Sequence, residues 1–427
     1  MSTFTVETFQ NEYLPEGGTD VNAIVTVTSD EVAGQSVTGT DATEIIIVDT
    51  SGSMSSGGRM PAAKQATKAA ISVLRDGVHF AVIAGSGVAT PCYPANGLAV
   101  SSPQTRAEAE RSVDRLHAEG GTAMSTWLGA AGMLFDTRPG AINHAILLTD
   151  GKNESDPPRR LDAILHRWNR TFQCDCRGVG TDWVVSELRL IADAMLGTVD
   201  IIAQPAGLVA DFTAMVNAAM GKTNADVRLR VWLPAGAQVT FLKQVAPVVA
   251  DLTSSRVAVD ARSSDYPTGA WGAESRDYHL CVEVAPGLVG DEMLAARVNL
   301  VISSAAGDDV VAKSLVRAVW TEDNALSTRI NKSVAHYTGQ AELAEVIAEG
   351  LEARTAGDED TATMKFGRAA QLAAASGNTD TQELLAKIVD IDDPVTGTVR
   401  LKKKVDTADE MALDTRSTRT VRVGKNP

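Results

Sequence analysis

Short strands that are apolar at every position, set between stretches of helical length, constrain this chain more than any other feature. Ile45-Ile-Ile-Val48 and Ala145-Ile-Leu-Leu148 have no polar face. Such a strand must be covered on both sides, as in a parallel sheet with helices on each face. The pattern predicts strands at 44–49, 78–84, 143–149, 172–178 and 199–202. Between them it predicts helices at 60–75, 105–118, 126–135, 158–171, 183–196 and 208–220. The fold class expected for 42–220 is α/β, a doubly wound, mostly parallel sheet.

On both sides of that region the period falls to two. Val227, Leu229, Val231 and Leu233 alternate with Arg228, Arg230 and Trp232, and Pro234-Ala-Gly236 and Pro286-Gly287 supply turns. An antiparallel β-sandwich over 225–321 follows. Residues 1–41 hold one or two strands without partners of their own, and are expected to complete the sandwich, with the α/β domain inserted into it. Leu343, Val346, Ile347 and Leu351 form a helical stripe. Breaks at Gly357 and Ser376-Gly-Asn378 divide 322–393 into about three helices, a small helical domain that faintly suggests a tetratricopeptide-like hairpin. Residues 394–427 have no apolar period, carry eight basic and four acidic side chains, and read as a flexible basic tail.

The chain has 427 residues, 39 of them basic and 54 acidic, for a net charge of −15. A general role in gripping nucleic acid or an anionic membrane is thereby disfavoured. The N-terminus lacks the basic start and apolar core of a secretory signal, and no apolar run is long enough to span a membrane. Four cysteines make no disulfide framework in a chain of this length. Cys174 and Cys176 are taken as reduced thiols on opposite faces of a strand. The expected location is cytoplasmic.

The chemistry is concentrated where the strands end. Asp49, Ser51 and Ser53 follow the first buried strand at alternate positions, on the loop where open α/β sheets place their ligands. Oxygen-only side chains suit a hard cation, and Mg²⁺ is the natural candidate. Gly120-Gly121-Thr122 puts a hydroxyl in a Gly-rich loop between helices, and Thr149-Asp150-Gly151 ends a second buried strand. Taken singly, Asp49 or Asp150 could cap a helix and Thr122 could be a turn residue. Five such residues in order, at strand ends, favour a metal site.

In that order, Asp49, Ser51, Ser53, Thr122 and Asp150 resemble the metal-ion-dependent adhesion site of von Willebrand factor A domains, over about residues 42–220. The resemblance implies a central parallel sheet with one antiparallel edge strand. It implies that Ser51 and Ser53 touch the metal directly, Thr122 directly or through water, and Asp49 and Asp150 largely through waters. The family also includes metal-chelatase subunits that work with an ATPase.

Neutral hydroxyls leave much of a cation's charge uncompensated, and a coordination position open. The ligand expected for it is an acidic side chain of a partner protein, which makes the chain a Mg²⁺-dependent scaffold or adaptor rather than an enzyme. Mn²⁺ or Ca²⁺ in place of Mg²⁺ is left open. The six histidines are scattered, without a metal pair or a nucleophile-elbow context. A metal-activated water would make a hydrolase, but no general base is identifiable. The other alternative is a regulated adaptor. Thr407-Ala-Asp-Glu410 in the tail is similar to threonine segments that forkhead-associated, phosphothreonine-binding domains read once phosphorylated.

Overall fold

The structure, a computed structural model, describes residues 3–30, 41–169, 171–304 and 307–423. It divides into two compact units, one holding 41–226 with 269–272, the other 3–30, 227–268 and 273–423.

The second unit opens with β1 (Thr3–Gln10), β2 (Tyr13–Leu14) and β3 (Asp20–Asp30). β3 lies between β1 and Glu274–Glu283 in a five-stranded antiparallel sheet, with Val25 opposite Tyr278 and Val21 opposite Val282. A six-stranded sheet places Val227–Trp232 between Ser263–Pro267 and Glu292–Ser304, and takes β2 as its far edge. Val227, Leu229 and Val231 are buried. Arg228 and Arg230, on the other face of the same strand, both pair with Asp265 and Asp308. Helices Lys332–Thr355, Glu359–Ser376 and Thr379–Ile388 share a core of Leu343, Ile347, Phe366 and Leu385.

Residues 394–427 correct the expectation of a flexible tail. Thr398–Leu401 pairs with Val389–Asp393, so the expected boundary at 393 cuts through a hairpin. Thr407–Arg416 is a helix that buries Met411, Ala412, Leu413 and Thr415. Beyond it, the Val249 N–H donates to the Thr418 carbonyl at 2.7 Å and the Thr420 N–H to that of Pro247 at 3.0 Å. A ten-residue helix needs only one short buried stripe, too few residues to stand out as a period. Residues 424–427 lie outside the described residues.

The first unit runs β4 (Ala42–Asp49), α1 (Arg59–Ser72), β5 (His79–Gly85), β6 (Ala89–Tyr93), β7 (Ala99–Val100), α2 (Pro103–Asp114), α3 (Met124–Phe135), β8 (Ile142–Thr149), α4 (Arg160–Trp168), β9 (Gln173–Val179), α5 (Val185–Ala194), β10 (Val199–Ile202), α6 (Leu208–Met220). Strand order is β10-β9-β8-β4-β5-β6, with β7 also on β5. All pairs are parallel except those of β6 and β7 with β5. This is the α/β fold read from the strand pattern. Every residue of β4 is buried. Ile46 and Val48 pack among Ala63, Ala66, Ala70, Phe212 and Val216 of α1 and α6.

Cys174 and Cys176 correct a second reading. Residues two apart on a strand share a face. Both thiols are free, fully buried and hydrogen-bonded to one another, and that bond together with burial raises the Cys174 thiol.

A chain of buried charge crosses the starts of the strands. His144 Nδ1 lies 2.9 Å from both oxygens of Glu44, and its Nε2 lies 3.0 Å from Asp175 Oδ2. Burial alone would lower the imidazole, but the two carboxylates outweigh it and hold His144 at about 10. Removing one partner strands an uncompensated buried charge, so His144→Ala is expected to cost about 3–5 kcal/mol in urea unfolding. His144 contributes most below its ordinary 6.5, and the contribution is lost as pH rises toward about 10. Urea midpoints at pH 6 and pH 9 should therefore fall with pH in the wild type, and fall less in His144→Gln.

Candidate metal centre

β4 and β8 are neighbours in the sheet, so their carboxyl ends bring Asp49 and the Thr149-Asp150-Gly151 turn together. Asp49 and Asp150 have no exposed surface. Asp49 Oδ1 accepts the Ser51 N–H at 2.7 Å, and its Oδ2 accepts the Thr149 hydroxyl at 2.5 Å. Asp150 Oδ1 accepts the Ser53 hydroxyl at 2.6 Å, and its Oδ2 accepts Arg59 Nη1 at 2.7 Å. Ser51 Oγ lies 3.0 Å from Ser53 Oγ. Burial raises Asp49 above its ordinary value, and Asp150 adds to this against the pull of the Ser51 and Thr149 hydrogen bonds.

Thr122 arrives on a separate loop. The Gly52 N–H donates to the Gly120 carbonyl at 2.9 Å and the Glu119 N–H to that of Thr50 at 2.6 Å, tying this loop to the one after β4. From the other side, the Thr122 N–H donates to Ser155 Oγ at 3.1 Å and the Ser155 N–H returns to the Thr122 carbonyl at 2.8 Å. Two more side chains of the loop after β8 satisfy the open start of α3. Asn153 Oδ1 accepts the Met124 N–H at 2.9 Å, and Asp156 Oδ2 the Ser125 N–H at 2.8 Å.

Gly151 shows that the five residues meet in one place. A Cβ there would lie 3.3 Å from Thr122 Oγ1, 3.4 Å from Ser53 Oγ and 4.0 Å from Asp49 Oδ2. Three site oxygens thus border a space that only a glycine leaves clear. Ser53 is exposed, while Ser51 and Thr122 are buried, so the group opens to solvent on the Ser53 side. Among the described residues no cluster of three or more His, Cys, Asp or Glu is placed to hold a metal. The side-chain oxygens available to a cation at this edge are those of two carboxylates and the neighbouring hydroxyls. An oxygen-only set of hydroxyls and carboxylates is the chemistry of a hard divalent ion, and the residues present fit Mg²⁺.

All five residues read from the sequence are brought together. Arg59, Thr149, Ser155 and Asp156 were not read as part of the site. Asp156 reaches the start of α3 from 31 residues away, and nothing local marks it or Arg59. Thr407 is exposed as the first residue of its helix, but Asp409 and Glu410 are paired with Lys387 and Arg354. Thr415 is buried and donates to the Met411 carbonyl.

Comparison with known proteins agrees with this architecture. Residues 44–201 match the von Willebrand factor type A domain, and residues 371–417 match the von Willebrand factor type A C-terminal domain. A solved structure described as von Willebrand factor type A from Catenulispora acidiphila is 52% identical. That match covers 99% of this chain and 98% of the other, with a TM-score of 0.94. The chain belongs to the von Willebrand factor type A family. The ArnB paralog VWA2 from Sulfolobus acidocaldarius, 14% identical over 98% of each chain with a TM-score of 0.62, shares the fold. So does the human COPII-coat protein Sec24c, 10% identical over 90% of this chain and 57% of its own, with a TM-score of 0.52. No curated protein matches the sequence. Among the described residues no helix is long and apolar enough to cross a membrane.

Gly151→Ala is expected to crowd Thr122 and Ser53 and weaken Mg²⁺ binding by about tenfold or more in calorimetric titration. Its melting temperature should stay close to wild type, because Gly151 is not among the residues with positive φ.

Proposed function

We propose that this chain is a Mg²⁺-dependent protein-binding module, a scaffold or adaptor that engages an acidic side chain of a partner. The observation carrying this reading is the way the two carboxylates are used. Each oxygen of Asp49 and Asp150 already accepts a hydrogen bond from this chain. Half of their lone pairs are thus already engaged by this chain, and the remaining donors are the neutral hydroxyls of Ser51, Ser53 and Thr122.

When bound, the metal supplies an electron-poor position able to accept an anionic oxygen. Ser51, Ser53 and Thr122 would hold it, with Asp49 and Asp150 orienting hydroxyls and water around it. Ser53 lies on the exposed side, where a partner's Asp or Glu would arrive. Mn²⁺ is an alternative occupant, while Ca²⁺ is less well served because it draws on bidentate carboxylates.

The reading assigns no catalytic role. His144, a buried histidine of the same unit, is committed to Glu44 and Asp175 at the opposite ends of the strands. A phosphothreonine-read tail would require Asp409 and Glu410 to leave their ion pairs.

Capture from native lysate in Mg²⁺ tests the proposal. A partner should be held by wild type, lost in EDTA, and lost with Asp49→Ala/Ser51→Ala. Partners indifferent to both changes would overturn it.

A further inference from the structure

The guanidinium of Arg59 stands beside the candidate metal centre and belongs to no ligand set. Arg59 is the first residue of α1 and follows Gly57 and Gly58, whose φ angles of +60° and +71° are readily adopted only by glycine. Nη1 donates to Asp150 Oδ2 at 2.7 Å, and Nη2 to Asp182 Oδ2 at 2.6 Å. The Arg59 side chain is 17% exposed, between a fully buried Asp150 and an Asp182 that is 63% exposed. Room for it is made by Gly180, where a Cβ would lie 3.1 Å from Nη2. The seat is built from three loops, those after β4, β8 and β9.

We infer that Arg59 is a specificity-determining positioning residue, which weakens the site's hold on the cation and strengthens its hold on the anion. The inference rests on the metal-site reading given above. Asp49 and Asp150 carry two negative charges, and Arg59 is permanently positive. It cancels the charge of Asp150 one carboxylate away from the hydroxyls, while the charge of Asp182 is largely screened by solvent. A divalent cation then enters a site of net charge −1 instead of −2, and the loaded site is net positive. An acidic partner group meets that surplus charge. Without Arg59 the loaded site would be neutral, better for retaining metal and poorer for attracting a carboxylate. By donating to Asp150 Oδ2, Arg59 leaves that oxygen one lone pair, and Oδ1 is already shared with Ser53.

The test uses Mn²⁺ alone as metal probe, followed by electron paramagnetic resonance, and acetate as carboxylate probe, followed by its effect on water relaxation of the Mn²⁺-loaded protein. Arg59→Gln should bind Mn²⁺ roughly tenfold more tightly and acetate severalfold more weakly than wild type, because a unit positive charge beside the cation is removed. Asp182→Asn, which removes only the screened, exposed counter-charge and leaves Arg59 in place, should keep both affinities near wild type. Arg59→Lys should stay near wild type for acetate. Opposed shifts in the two affinities are the signature, since a merely structural role would weaken both probes together. Unchanged Mn²⁺ binding in Arg59→Gln, or loss of both affinities with a normal melting curve, overturns the inference while the metal-site reading stands. A wild-type protein that binds no Mn²⁺ overturns both.

Discussion

Two carboxylates without exposed surface stand at the ends of adjacent strands, and the arrangement of this sheet edge follows from keeping them there. Burying like charges side by side is costly unless donors or cations compensate. Four donors are supplied from within, the Ser51 N–H, the hydroxyls of Thr149 and Ser53, and the Arg59 guanidinium. Only Arg59 brings a full charge. Among the described residues no ion pair reaches Asp49. The site is thus left one cation short, with hydroxyl lone pairs placed where that cation would sit.

The other end of β4 makes the contrast. Glu44 is as deeply buried as Asp49, yet its counter-charge is internal, an imidazole held between Glu44 and Asp175. One strand therefore carries a carboxylate at each end of an all-apolar run, one compensated by the protein and one not. The first is structural in its energetics. On the proposed reading a cation would compensate the second, and hydrogen bonds tie together the loops after β4 and β8 and the Thr122 loop before α3.

Much of this was legible in the sequence, because the two periods involved are strong. β10 and α6 fall at the residues read from pattern, and the α/β class followed from Ile45–Val48 and Ala145–Leu148 being apolar throughout. The site residues were legible because each lies within a few positions of a strand end or a Gly pair. β6 was hidden by its exposed edge position and Pro91, which break both apolar run and alternation. The last helix was hidden by its short stripe, Met411 to Leu413 with Thr415, among polar and charged residues. Cys174 and Cys176 were misplaced by an error of register, since the residue between them takes the opposite face. Arg59 could not have been read at all, because its partners lie 91 and 123 residues away.

The central claim is that a hard divalent ion completes this edge. It is tested most directly by a crystal structure of the protein grown with Mn²⁺, with anomalous scattering measured at the manganese edge. The account predicts one strong peak ligated by the hydroxyls of Ser51 and Ser53, with a water or anion in a position facing solvent. A map with no peak there, or a peak ligated by both oxygens of Asp49 and of Asp150 with no open position, would contradict it.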